Sequence, residues 1–163
     1  RYDVVGSVPR RLKEVLMGYK HILVAVDFSR SCLKAARRAK ELAQQYEATL
    51  DLVHAVEYLP QVDSSFGGIS PFDIDLTQQL VETARKRVAE MAKKLAIDEA
   101  RQWVEVGSPR AEILRVAEEM KADLIVVGSH GRHGIALLLG STASSVIHHA
   151  QCDVLAVRLK DVD

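Results

Sequence analysis

In VVGSHGRHGIALLLGSTASSVIHHA, residues 126–150, an apolar run gives way to glycines and then to a helical period. Leu124, Ile125, Val126 and Val127 read as a short buried strand. The strand breaks at Gly128 into a loop that holds Gly128, Gly131, Gly134 and Gly140. Ser141 and Thr142 then open a helix with a hydroxyl cap, and Ala143, Val146, Ile147 and Ala150 recur at the 3.6-residue period. A strand, a glycine-rich loop and a helix start together make a place for an anion. Glycines let the backbone approach a phosphate closely, and the first N–H groups of a helix have no intrahelical acceptors. The loop is also roughly twice the six or so residues that a plain strand-to-helix connection needs.

Two common phosphate fingerprints are excluded. The P-loop requires a Lys directly before its Ser or Thr, whereas Leu139 precedes Gly140-Ser141 and Thr142 follows. Residues 128–134 form G-x-x-G-x-x-G and lack the closely spaced G-x-G of the dinucleotide motif. The backbone at Gly128, His130, Gly131, Gly140, Ser141 and Thr142 is therefore the expected cradle. Arg132 can add a fork of donors, as can a protonated His130 or His133. The Ser141 hydroxyl can reach a phosphate-bound Mg2+. The other reading of these polar side chains is simply that of exposed loop residues.

Outward from this stretch, strands and helices alternate. His21–Val26 is a predicted strand ending at Asp27. A helix follows, with Ser29 or Ser31 as N-cap and Leu33, Ala36, Ala39, Ala43 and Tyr46 on its apolar face. Leu50–Val56 is a second strand, in which His54 reads as a satisfied core histidine. Leu59–Asp73 carries Pro60, Gly67, Gly68 and Pro71 and reads as a long loop, either a flap or disordered. Leu76, Leu80, Ala84, Val88, Met91 and Leu95 mark a second helix. Trp103–Val106 is a third strand, Ser108-Pro109 starts a third helix that buries Ile113, Val116, Ala117 and Met120, and Val154–Val157 is the last strand. Five strands and four helices in alternation imply a three-layer α/β/α sandwich over a parallel sheet. Asp27, at the carboxyl end of the first strand, reads either as a cap for the following helix or as a ligand contact at the switch point of an open sheet.

The run YKHILVAVDFS, a helix, LVHAVE, and the later Gly128, Gly131, Gly140-Ser141 resemble the universal stress protein family across Tyr19–Leu159. Its ATP-binding members carry G-x2-G-x9-G-[S/T]; here eight residues rather than nine separate Gly131 from Gly140. The resemblance implies sheet order 3-2-1-4-5 in an adenine nucleotide alpha hydrolase-like fold. It also implies that Ala25, Val26 and Asp27 surround adenine and ribose, that Ala55 lines the adenine pocket, and that Val127 joins the glycine loop at the site. The expected ligand is ATP or another adenine nucleotide with Mg2+, and a loop one residue short lets AMP or ADP compete. The resemblance further implies a homodimer through Val154–Val157 and a regulatory role in stress response, with a protein partner that the sequence does not name. The alternatives are an interaction module without nucleotide, or a slow ATPase or autokinase. Turnover is the less favoured reading, because the G-x-S-x-G nucleophile elbow is absent and His130-Gly131-Arg132-His133 has the wrong order for the H-x-G-H of adenylyl transfer.

The chain has 163 residues, 48% of them hydrophobic, and its 22 basic and 22 acidic residues cancel. Such a balance gives no electrostatic footprint for nucleic acid or an anionic membrane. Cys32 and Cys152 have neither metal nor disulfide spacing. No apolar run approaches the roughly 18 residues of a membrane span, and a cytoplasmic location is expected. Residues 1–16, with Gly6 and Pro9 and ahead of Met17-Gly18-Tyr19, read as an expression-derived leader or an extension outside the core, with 17–160 as a single domain.

Overall fold

HILVA at His21–Ala25 (β1) has no polar residue after its first and is buried at Ile22, Leu23 and Val24. A strand buried on both faces belongs in the middle of a parallel sheet covered by helices. The computed structural model, which describes residues 18–57, 71–98, 101–129 and 139–158, puts it there. After β1 come α1 (Arg30–Tyr46), β2 (Thr49–Val56), α2 (Pro71–Leu95), β3 (Gln102–Val106), α3 (Pro109–Glu119), β4 (Leu124–Gly128), α4 (Ser141–His149) and β5 (Asp153–Val157). All four ladders are parallel, and the strand order is β3-β2-β1-β4-β5. This is the order and the three-layer class expected from the sequence.

Strand alternation divides the core. Ile22, Val24, Leu50, Leu52, Leu124 and Val126 face α1 and the end of α2, meeting Ala35, Ala36, Ala39, Met91, Ala92 and Leu95. Leu23, Val53, Ile125 and Val127 face α3 and α4, meeting Ile113, Val116, Ala117, Ala143 and Val146. Each Val or Leu so buried contributes roughly 1.5–3 kcal/mol over exposure. Alanines on α1 let that helix lie close to the sheet. Cys32 takes the buried place at the start of α1, while Leu33 and Tyr46, expected on its apolar face, are exposed. Tyr46 instead packs edge-on against Tyr19 and covers Gly18. Gly18 has φ +66, and a Cβ there would stand 2.0 Å from the Tyr46 ring, so both the turn and the space require glycine.

Several local expectations change. β1 ends at Ala25, although the Val26 N–H still donates to the Val53 carbonyl at 2.9 Å. Pro71 to Asp73, expected in the loop, begin α2, where a proline in the first turn loses no helical hydrogen bond. Residues 59–70, the rest of that loop, lie outside the described residues, as do residues 1–17. Leu76 and Leu80 are exposed despite their spacing with Ala84 and Val88. Met120 ends α3 as its C-cap and is half-buried, not fully buried. Among the described residues no helix is long and apolar enough to cross a membrane.

The edge strand β3 is pinned by a buried carboxylate. Asp51, 4% exposed, accepts from the Trp103 indole N–H at 3.1 Å and from Arg101 at 3.1 Å. Removing it strands an indole donor next to the core and releases the guanidinium to solvent. Asp51→Ala is expected to lower unfolding free energy by about 1–3 kcal/mol in urea, and Arg101→Ala by less. A loss smaller for Asp51→Ala than for Arg101→Ala contradicts this account.

Candidate functional site

The carboxyl ends of β1, β2 and β4 open into one crevice of about 690 Å³. That volume lies within the roughly 300–1,000 Å³ usual for small-molecule sites. Ala25, Val26, Asp27, Ala55, Val127, Gly128, Gly140, Ser141 and Thr142 all line it. These are the sequence-derived candidates that fall among the described residues. His130, Gly131 and Arg132 lie outside them, as do His133 and Gly134.

The crevice exists because β1 and β4 are neighbours while their helices leave on opposite faces. The two ends of the glycine loop are tied together: the Gly140 N–H donates to the Ser129 carbonyl at 2.8 Å. Ser129, itself buried, donates its N–H to the Val157 carbonyl at 2.9 Å. The start of α4 is thereby fixed beside the end of β4. Its N-cap is Gly140, and Ser141 and Thr142 occupy the first turn, so the hydroxyl cap expected from the sequence is not formed. With no side chain on its first N–H groups, this turn presents donors and the positive end of the helix dipole to the crevice.

Backbone parity adds a second set of polar groups. The Val53 carbonyl receives the Val26 N–H, so Val53 directs its peptide groups toward β1; Val56 directs its own toward β3, accepting from Gly107 at 3.1 Å. Ala55, two residues past Val53, therefore points its N–H and C=O to the β1 side, beyond the last β1 ladder partner Ala25. One donor and one acceptor stand side by side at the crevice. Val26 has no such freedom: its carbonyl accepts from His54 Nδ1 at 2.8 Å, which fixes the Nδ1–H tautomer of that ring. His54 is hydrogen-bonded as expected, yet it is half-buried and lines the crevice rather than the core.

Asp27 lies between β1 and α1. Its carboxylate accepts from the Ser29 N–H at 2.9 Å and from the Ser29 hydroxyl. Ser29, not Ser31, is the N-cap of α1 and accepts from the Cys32 N–H. Asp27 thus orients the residue that caps the helix. Cys32 is buried just behind, and desolvation first, then the Asp27 charge, push its thiol pKa up.

Phe28 and Arg87 were not found from the sequence. Phe28 has φ 60, the left-handed region, which costs a residue with a Cβ about 1–2 kcal/mol. Its ring centroid lies 4.3 Å from that of His54, and the Arg87 guanidinium carbon lies 4.1 Å above it. A ring pair contributes roughly 0.5–1.5 kcal/mol and an exposed cation–π contact roughly 0.5–1 kcal/mol, enough together to offset the strain. The available signal was spacing: Leu80, Ala84 and Arg87 fall on one α2 face, an arginine in line with apolar positions.

Comparison with known proteins agrees with this architecture. The profile of the Universal stress protein family matches residues 18–158. Universal stress protein A homolog 2 of Coxiella burnetii is 46% identical over 143 residues, covering 87% of this chain and 97% of that protein. The universal stress protein UspA from Lactobacillus plantarum superposes with a TM-score of 0.72 at 27% identity, over 86% of this chain and 99% of that one. A universal stress protein solved in complex with cAMP superposes with a TM-score of 0.57 at 28% identity, over 86% and 97%.

The strain at Phe28 has a direct test. Phe28→Gly and Phe28→Ala both lose the stack, but only glycine relieves the positive φ. Phe28→Gly is expected to be the more stable of the two by about 1 kcal/mol in urea unfolding. Equal stabilities, or a more stable alanine variant, exclude a strained Phe28 backbone.

Proposed function

The chain belongs to the universal stress protein family, and on that premise we propose that its crevice binds an adenine nucleotide as a regulatory module with little or no turnover. The observation that carries the reading is the convergence of complementary groups in one crevice. The adjacent N–H and C=O of Ala55 suit the N1 acceptor and N6 amino donor of adenine. Asp27 is an acceptor for ribose hydroxyls, with Ala25 and Val26 against the nucleoside. Val127, Gly128, Gly140, Ser141 and Thr142, joined by His130, Gly131 and Arg132, hold the phosphates, where the bare first turn of α4 favours anionic oxygen. The cAMP complex of a relative, 28% identical, supports a nucleotide in this fold. Mg2+ arrives on the phosphates, within reach of Ser141. Among the described residues no group of three or more His, Cys, Asp or Glu could hold a metal on its own.

The module acts in the cytoplasm as a homodimer joined through β5, and nucleotide occupancy is read by a protein partner. β5 is one sheet edge, with apolar Val154–Val157 half-buried along it. The opposite edge, β3, carries Glu105, which is ion-paired to Arg115 at 2.6 Å and blunts strand addition there. One observation favours a module without nucleotide: the glycine spacing that is one residue short.

Calorimetric titration of nucleotide-stripped protein with ATP, ADP, AMP and GTP, with and without Mg2+, separates the readings. Adenine nucleotides are expected to bind. GTP is expected to bind at least roughly tenfold more weakly, because guanine reverses the donor and acceptor facing Ala55. Asp27→Asn, which keeps an acceptor for Ser29 but removes the charge, is expected to weaken binding roughly tenfold or more. Gly131→Val is expected to abolish it. No heat with any nucleotide favours the interaction module. In sedimentation the protein is expected at twice its 18.0 kDa chain mass; a monomer at micromolar concentration removes the β5 dimer.

A further inference from the structure

Ala25, Val127 and the start of α4 lie on the α3 and α4 side of the crevice, yet its wall continues over the sheet rim to the α1 and α2 side, where Phe28, His54 and Arg87 stack. Three elements meet there: β2 supplies the imidazole, the β1–α1 turn the phenyl ring, and α2 the guanidinium. In the turn, Asp27 and Ser29 are tied to each other by hydrogen bonds, and Ser29 is tied to α1 through Cys32. Phe28, between them, holds the one left-handed backbone conformation of the turn. Its ring is held between His54 and Arg87, so the side chain beside Asp27 is anchored to β2 and α2. His54 is fixed from below by the Val26 carbonyl. Arg87 closes the stack from above, exposed and without a carboxylate partner among the described residues.

We propose that Arg87 is a positioning residue for Asp27: by capping the Phe28 ring against His54, it holds the turn in the geometry that receives the nucleoside. The inference rests on the nucleotide reading for its functional consequence. Its structural content, that Arg87 holds the Asp27–Ser29 turn, stands apart from that reading. Arg87 then acts on the nucleoside end of the ligand, although its charge alone suggests a phosphate contact. α2 in turn becomes an element whose displacement loosens the site without touching the ligand.

Two readouts on Arg87→Gln and Arg87→Lys test this. The first is affinity for adenosine, AMP and ATP. Arg87→Gln is expected to weaken all three alike, by roughly two- to fivefold, the size of an exposed cation–π contact, and Arg87→Lys to restore most of the loss because the cation returns. The second needs no nucleotide: iodoacetamide alkylation of Cys32, followed by peptide mass with Cys152 as internal reference. Cys32 is 3% exposed behind the turn, so its alkylation is expected to quicken in Arg87→Gln, with Cys152 unchanged, and to slow again in Arg87→Lys. A loss that grows with phosphate number and spares adenosine makes Arg87 a phosphate contact and overturns the proposal. Cys32 alkylation at the wild-type rate in Arg87→Gln overturns it as well. If the wild-type protein binds no nucleotide, the functional reading fails, and the alkylation result still decides whether Arg87 holds the turn.

Discussion

Ile22, Leu23 and Val24 pair in parallel with Leu124, Ile125 and Val126, and these two strands are not consecutive in the chain. From β1 the strands march outward through β2 to β3, with α1 and α2 on one face; from β4 the march reverses to β5, with α3 and α4 on the other. Right-handed crossovers require that division, since a strand–helix–strand unit that changes direction must put its helix on the opposite side. Where the two marches part, no helix among the described residues covers the carboxyl ends, and a crevice is left between the start of α1 and the start of α4. The β1–β4 ladder holds it open. It is made almost wholly of side chains with no exposure.

The polar groups of the crevice are those that regular structure leaves over. α4 starts on a glycine without a side-chain cap, and β2 runs on past the end of β1, leaving Ala55 with a peptide facing no strand. Unpaired main-chain groups of this kind are costly when buried and need water or a ligand. Their directions follow from the sheet and the helix axis and need no ligand to set them. Side chains contribute charge and orientation: Asp27 through Ser29, and Arg87 through the Phe28 ring. On the proposed reading, a chain with balanced charge still presents an anion site. The field is local, set by one helix terminus.

Stabilising and site-forming interactions are also separated in space. Asp51 with Arg101 and Trp103 secures the β3 edge, and Arg115 ties Glu105 to Glu112 and Glu119 on the outer surface of α3. Among the described residues, left-handed backbone away from helix ends in a non-glycine residue falls at Phe28, in the β1–α1 turn beside the crevice. The other left-handed non-glycine residues, Glu47, Ala96 and Lys121, end helices α1, α2 and α3, a common place for such a conformation.

Hydrophobic period and glycine placement determined most of the architecture from the sequence. The apolar runs at Ile22–Val24 and Leu124–Val127, short and without alternation, read as strands, and the family resemblance implied their neighbouring place in the sheet. The three-layer class followed, and the carboxyl-end residues Ala25, Val26, Asp27, Ala55, Val127, Gly128, Gly140, Ser141 and Thr142 do meet in one crevice. What period cannot carry is the competition at element ends. Leu33 and Tyr46 fit the α1 face by spacing, but Cys32 and four alanines fill the space against the sheet, because a closer helix leaves no room for larger groups. Ser141 looked like a cap, but Gly140 takes that place, because its N–H is held by Ser129. Arg87 and Phe28 are distant in sequence and carry no motif. Only the packing of α2 over the β1–α1 turn brings a cation onto that ring, since a stacked contact depends on three-dimensional proximity that no local pattern encodes.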